Sequence, residues 1–179
     1  MTSIIKATRE RIEMSPKTDL SIVIEMDTKE VTGGNYDHIN SINEWLTQID
    51  NIPHLRCEIL ICSSSPVYIS DKIKKQENVS IRNICTPDTY YYGLKNSGAN
   101  QACGEYVLFT DSDCRPGEAY LESMFKGFAN GSVDCLAGRT YYDGKHIFAR
   151  INTASSFGYL HRENVTTISG GCILAHNVA

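Results

Sequence analysis

The sequence contains no run of about 18 apolar residues, the length an α-helix needs to cross a bilayer, so no transmembrane segment is expected. It has no apolar stretch near its start of the kind that marks a secretion signal. Basic residues are not in excess. Seventeen Lys and Arg against 21 Asp and Glu leave a net charge of −4, which gives no electrostatic reason to expect nucleic acid as a partner. The seven cysteines are odd in number and include no C-x-x-C pair, so neither a disulfide framework nor a zinc site is indicated. Reduced thiols in a cytoplasmic protein are expected instead. The Asn-x-Ser/Thr triplets at Asn78, Asn130 and Asn164 are then chance. Repeats and low-complexity tracts are also missing. With 41% hydrophobic and 21% charged residues the chain is not disordered, and 179 residues are enough for one core.

What is present is an alternation of strand and helix signals. Residues 1–18 are polar and mixed, with Pro16, and read as an arm or short helix ahead of a domain spanning 19–179. Leu20 to Ile24 is a first buried strand. Tyr36 to Ile52 places Ile39, Ile42, Trp45, Leu46 and Ile49 at helical spacing. Cys57 to Cys62 is a second strand, followed by Ser63-Ser64-Ser65-Pro66. Asp71 to Asn78 is charged and expected to be helical, and Val79 to Cys85 alternates as a third strand. Tyr90 to Ala102 reads as a helix leading into a fourth strand. Gly117 to Gly127 reads as a helix, Val133 to Tyr142 as a strand, Ala149 to His161 as a helix, and Thr166 onward as another strand. Such alternation implies parallel βαβ units: a three-layer α/β fold with a mostly parallel central sheet.

The fourth strand carries the chemistry. Tyr106 to Thr110 is apolar and β-favouring, and it ends abruptly in Asp111-Ser112-Asp113. A continuous apolar run of that kind suits a strand buried on both faces, with Phe109 in the core. If the chain stays extended, both carboxylates leave the same side, their Cα atoms about 6.5 Å apart. Two oxygen donors at the carboxyl end of a strand, where open α/β sheets bind ligands, suit a divalent cation holding phosphate. All-oxygen donors favour Mg²⁺ or Mn²⁺ over Zn²⁺. The triplet also suits a surface turn that caps the next helix; the buried strand in front of it favours the cation. With no cation present the two charges repel, so Asp111→Asn is expected to be neutral or stabilising.

Four pieces in order, LSIVIE, CEILICSSS, GLKNSGANQACGEYVLFTDSDCRP and SGGCILA, resemble the nucleotide-sugar-binding part of a family 2, GT-A-type glycosyltransferase. The resemblance covers about residues 20–179. Lys95-Asn96, Ala102-Cys103-Gly104-Glu105-Tyr106 and Asp111-Ser112-Asp113 fit that family's layout without a gap. It implies a GT-A-like (Rossmann-like) fold and a nucleotide-diphosphate sugar as donor, with transfer to an acceptor the sequence does not name. It also implies that Asp113 binds the metal and that Asp111 faces the ribose or a metal-bound water. Lys95 would reach a phosphate, or else is a solvated helix lysine. His176 would be a further ligand near the diphosphate, or else a structural strand residue.

Two departures bear on the base. Where the family ends its first strand in a Pro-x-Tyr-Asn-like run, this chain has Glu25-Met26-Asp27-Thr28, and where it ends its second in paired aspartates, this chain has Ser63-Ser64-Ser65. Ser64, Glu25 and Asp27 are therefore the candidates for nucleotide recognition beside Ser112. In the family, a Glu-Asp pair supplying the catalytic base follows the Gly-Gly strand by some tens of residues, whereas this sequence ends at Ala179, and nothing marks its last carboxylate, Glu163, as a base. A fragment of a longer enzyme, a partner chain supplying the missing part, and a domain that only binds nucleotide sugar are all compatible with that. A nucleotidyltransferase usually carries a Gly-rich loop after its first strand, for which Gly33-Gly34 is a poor substitute. A dehalogenase-type phosphatase carries its D-x-D after the first strand, not the fourth.

Overall fold

The structure, a computed structural model, describes residues 17–26, 38–69, 71–87, 89–130, 134–138 and 173–176. Residues 1–16 of the expected arm over 1–18, Asp27, both Gly-Gly pairs, the 149–161 helix and Glu163 lie outside these. The elements run β1 (Leu20–Glu25), α1 (His38–Asp50), β2 (Cys57–Ser63), β3 (Val79–Cys85), α2 (Tyr91–Ala99), β4 (Tyr106–Asp111), α3 (Tyr120–Asn130), β5 (Cys135–Ala137) and β6 (Ile173–His176). The sheet order is β3-β2-β1-β4-β6-β5, parallel from β3 to β4 and antiparallel at β6 and β5. A mostly parallel α/β sheet is thus present, as the alternation predicts.

Side chains alternate across each strand, and the period sorts them into two cores. Leu20, Ile22 and Ile24 of β1, Cys57, Ile59 and Ile61 of β2 and Leu108 of β4 share one core with Ile42, Trp45, Leu46 and Ile49 of α1 and Leu121, Met124 and Phe128 of α3. Val23, Leu60, Ile84 and Val107 share the opposite core with Leu94 of α2. The helices therefore lie on both faces of the sheet and make three layers. Helix α2 sits close because residue 98 has no side chain. A Cβ on Gly98 would lie 2.7 Å from Cys62 Sγ and would collide with Val23 as well.

Four expectations need correction. Residues 71–78 form turns and irregular chain, not a helix. Their polar groups are taken up along α1: Asn43 accepts from the Lys74 N–H, Asn43 donates to the Lys72 carbonyl, and Gln76 donates to the Leu46 carbonyl, while Ile73 is buried. Helix α3 starts at Tyr120, not Gly117, because Ala119 has φ 50°, a left-handed conformation that a residue inside a right-handed helix cannot hold. Strand β5 is only three residues long within the described part of 133–142. Phe109 is half-buried, so β4 is not covered equally along its length.

The amino end of the sheet is fastened by a buried carboxylate. Glu58, 4% exposed, accepts from Ser21 Oγ at 2.6 Å, from the Cys103 N–H at 2.6 Å and from Arg82 Nη2 at 2.8 Å. Ser21 Oγ accepts in turn from the Gly104 N–H at 2.9 Å. A Cβ on Gly104 would lie 2.5 Å from the Ser21 nitrogen, so only glycine lets this loop close on β1. The Ala-Cys-Gly-Glu-Tyr run thereby fixes where β4 begins, and hence where it ends.

Candidate functional site

Strand β1 connects onward to β2 on one side and pairs with β4 on the other, so the chain reverses its direction across the sheet between β1 and β4. A crevice opens at the carboxyl ends of two such strands, which is where open α/β sheets take ligands. Glu25 and Asp111 stand there in direct register. The Ser112 N–H donates to the Glu25 carbonyl at 3.0 Å, tying the two strand ends together.

The carboxylates meet differently from the extended-chain expectation. β4 ends at Asp111, and the Cys114 N–H closes a turn onto the Asp111 carbonyl at 3.0 Å. Turning, rather than strand alternation, brings the Asp111 and Asp113 oxygens and the Cys114 sulfur within 4.8 Å of one another. Asp113 is exposed and Asp111 half-buried. Helix α1 props the turn from below: Ser41 Oγ donates to the Cys114 carbonyl at 2.7 Å, and Gln48 donates to the Gly117 carbonyl at 3.0 Å. Two carboxylates with a thiol beside them are a donor set that could hold a divalent cation.

Odd-numbered residues of β4 face α2, and there Asp111 meets a cation of the protein itself. Lys95 Nζ is 2.5 Å from Asp111 Oδ1 and the residue is 7% exposed. The alternative of a solvated helix lysine is therefore overturned. Tyr91, one turn earlier on α2, donates to the same Oδ1 at 2.7 Å and accepts from Lys95 Nζ at 2.7 Å. Burial first, then the hydrogen bond to Asp111, pushes the Tyr91 phenol well above its ordinary value, so it keeps its proton to donate.

The remaining candidates separate. Glu25 is 5% exposed at the β1 end. Ser64 is half-buried in the turn after β2, while Ser63 is buried and donates to the Ser65 carbonyl at 2.6 Å, which takes up its hydroxyl proton locally. The backbone of His176 stands apart from the carboxyl end of β4. The β6 register sets it opposite Tyr106, the first residue of β4. Asp111 lies five residues on, about 16 Å along the strand. Tyr91, Cys114 and the α1 props were not legible as site residues. Only the four-residue spacing of Tyr91 and Lys95, which stacks them on one helix face, offered a signal.

The sequence model of glycosyl transferase family 2 matches residues 35–177, every element from α1 to β6. The chain belongs to that family. No curated protein sequence matches it. Among solved structures, this family 2 chain superposes on S. aureus TarS (residues 1–349) with a TM-score of 0.54 at 18% identity, over 73% of its own length and 38% of that protein's. It superposes on glucosyl-3-phosphoglycerate synthase from Mycobacterium tuberculosis, solved with Mn²⁺, UDP-glucose and phosphoglyceric acid, with a TM-score of 0.54 at 12% identity, over 89% and 57% of the two chains. TarS is also solved with UDP-GlcNAc, where the TM-score is 0.51. These likenesses establish the GT-A-like fold. The chain spans less than two thirds of either relative. No helix among the described residues is long and apolar enough to cross a membrane.

Proposed function

We propose that the crevice between the β1 and β4 ends binds a nucleotide-diphosphate sugar and that the chain serves transfer of that sugar to an acceptor. The observation carrying this reading is the convergence at one strand end of Asp111, Asp113 and the Lys95 ammonium. A sugar nucleotide departs as a nucleoside diphosphate, so negative charge develops on its β-phosphate. Positive groups fixed in advance at that place lower the barrier. Asp113, exposed at the rim, and Asp111 are the residues that would hold Mg²⁺ or Mn²⁺. When bound, the ion supplies charge neutralisation and orientation of the diphosphate. Lys95 supplies further positive charge from the α2 side, Ser112 lies between the two carboxylates, and Glu25, Ser64 and Asp27 are the candidates on the nucleoside side. The Mn²⁺ and UDP-sugar complexes of the M. tuberculosis and S. aureus proteins favour the same assignment. A cytoplasmic setting suits the six described cysteines, none of which is in a disulfide.

Calorimetric titration with UDP and GDP tests the reading. Affinity should rise by about tenfold or more when Mn²⁺ replaces EDTA, and Asp113→Ala should remove most of that gain. Equal affinity with and without metal would sink it.

A further inference from the structure

Lys95 and Asp111 form an ion pair inside the crevice, at the very carboxylate the donor's cation would need. The pair is built in. Tyr91 and Lys95 lie four residues apart on one face of α2, and that helix sits close on the sheet at Gly98, against Val23 of β1 and Cys62 of β2. The three polar atoms close a triangle, with Lys95 Nζ to Asp111 Oδ1 at 2.5 Å, Nζ to Tyr91 Oη at 2.7 Å and Oη to Oδ1 at 2.7 Å. The ammonium also lies 4.3 Å from the centre of the Tyr91 ring, within reach of its π-face. Both contacts fall on the same carboxylate oxygen. A divalent cation approaching Asp111 therefore meets a positive charge already bonded there, and two cations so close repel strongly.

We propose that Lys95 is the resident counter-ion of Asp111, and that it leaves the carboxylate when the divalent cation takes its place and passes to the donor's diphosphate. This rests on the donor-site reading above. The lysine stem is flexible and its ammonium is a compact charge, so a short swing exchanges one anion for the other. Before the donor arrives, the ammonium neutralises a half-buried carboxylate. Afterwards it neutralises a phosphate. The metal alone is thus held back by the lysine, while metal and diphosphate together satisfy every charge, so each favours the other's binding.

The test reads Mn²⁺ alone, by the paramagnetic resonance of the free ion, on the whole chain and on Lys95→Gln and Lys95→Met, with thermal melts to confirm folding. Both variants should bind Mn²⁺ tighter than the wild type, by about fivefold or more, the size that repulsion between close like charges reaches even when screened by water. In the presence of Mn²⁺ both should bind UDP weaker, by about tenfold, for loss of a charged contact to phosphate. A merely structural lysine would weaken both. If Lys95→Gln and Lys95→Met bind Mn²⁺ no tighter while Asp113→Ala abolishes binding, the exchange is wrong and the donor site stands. If neither the wild type nor the lysine variants bind Mn²⁺, with or without UDP, the donor site falls and the exchange with it. Should neither lysine variant fold, the wild type decides through the Lys95 ammonium resonance in nitrogen-15 spectra. Its displacement by Mg²⁺ without nucleotide supports the exchange, and its persistence overturns it.

Discussion

Glu58 carries its charge to a place that is 4% exposed, and the cost of that is met by three donors. Burial pushes its carboxyl up. The bonds from Ser21, the Cys103 N–H and Arg82 outweigh burial and hold it below its ordinary value near 4.5. The unfolded chain therefore takes up the proton more readily than the folded one. The contribution is whole above about pH 4.5 and is lost as the pH falls through the depressed folded value. Glu58→Gln should lower stability at pH 7 by about 1–3 kcal/mol, the value of hydrogen bonds to a charged group. Its acid denaturation curve should also be shallower than the wild type's below pH 4.5. An unchanged acid limb would mean that another carboxylate governs it. Asp111 reverses an expectation at the same scale. Read from the sequence, it suffers repulsion from Asp113, and Asp111→Asn relieves strain. In the folded chain its nearest charge is Lys95, so Asp111→Asn should destabilise by about 1–3 kcal/mol in chemical denaturation, by loss of a charge-assisted bond.

Helix α2 shows what a pattern of residues can and cannot disclose. Its place between β3 and β4 follows from composition, and so does the basic residue near its middle. Its closeness to the sheet does not, because Gly98 reads in sequence as a weak helix former and in the fold as a contact point. Ala at 98 gains about 1 kcal/mol in helix propensity and meets Val23 and Cys62, an overpacking that costs about 1–3 kcal/mol. The net expectation for Gly98→Ala is a loss, and Val23→Ala should recover part of it in a double-mutant cycle. Additive melts would show that the helix simply moves away. The segment from 71 to 78 failed as a helix for the complementary reason. Its charge pattern permits one, but Asn43, Leu46 and Leu55 of the preceding helix and loop take its polar groups one by one. Those bonds join residues 23 to 31 positions apart, which local pattern does not report.

At the scale of the whole molecule, the two ends of the sheet divide the work. The amino end holds Glu58, Ser21 and the Gly104 loop, where side chains are tied to one another and to backbone. The carboxyl end holds Asp111, Asp113 and Lys95. Substitutions should divide the same way. Ser21→Ala, which removes one of the donors to a buried Glu58 oxygen and an acceptor of the Gly104 N–H, should lower the melting temperature and leave nucleotide affinity of the folded fraction unchanged. Asp113→Ala should do the opposite, because Asp113 is exposed. A parallel loss of both properties in either variant would mean that the ends are coupled through β1 and β4. The strands, their order of succession and the D-x-D at the carboxyl end were legible because buried parallel strands are locally apolar. The turn that unites the carboxylates, the lysine on Asp111 and the distance to His176 are products of register and of tertiary contact.

The burial of β2 makes the chain its own clock for unfolding. Cys57 and Cys62 both lie in that strand, at 4% and 0% exposure. Burial, reinforced by neighbouring carboxylates, pushes the Cys57 thiol far up and the Cys62 thiol up to about 12, so neither supplies thiolate to a reagent at neutral pH. Cys85 and Cys103 are exposed. An aromatic disulfide reagent added to the native protein should consume the exposed pair within the mixing phase. The β2 pair should then react at the rate at which the sheet comes apart, in one step for both cysteines, because β1 and β3 flank them along the full length of the strand.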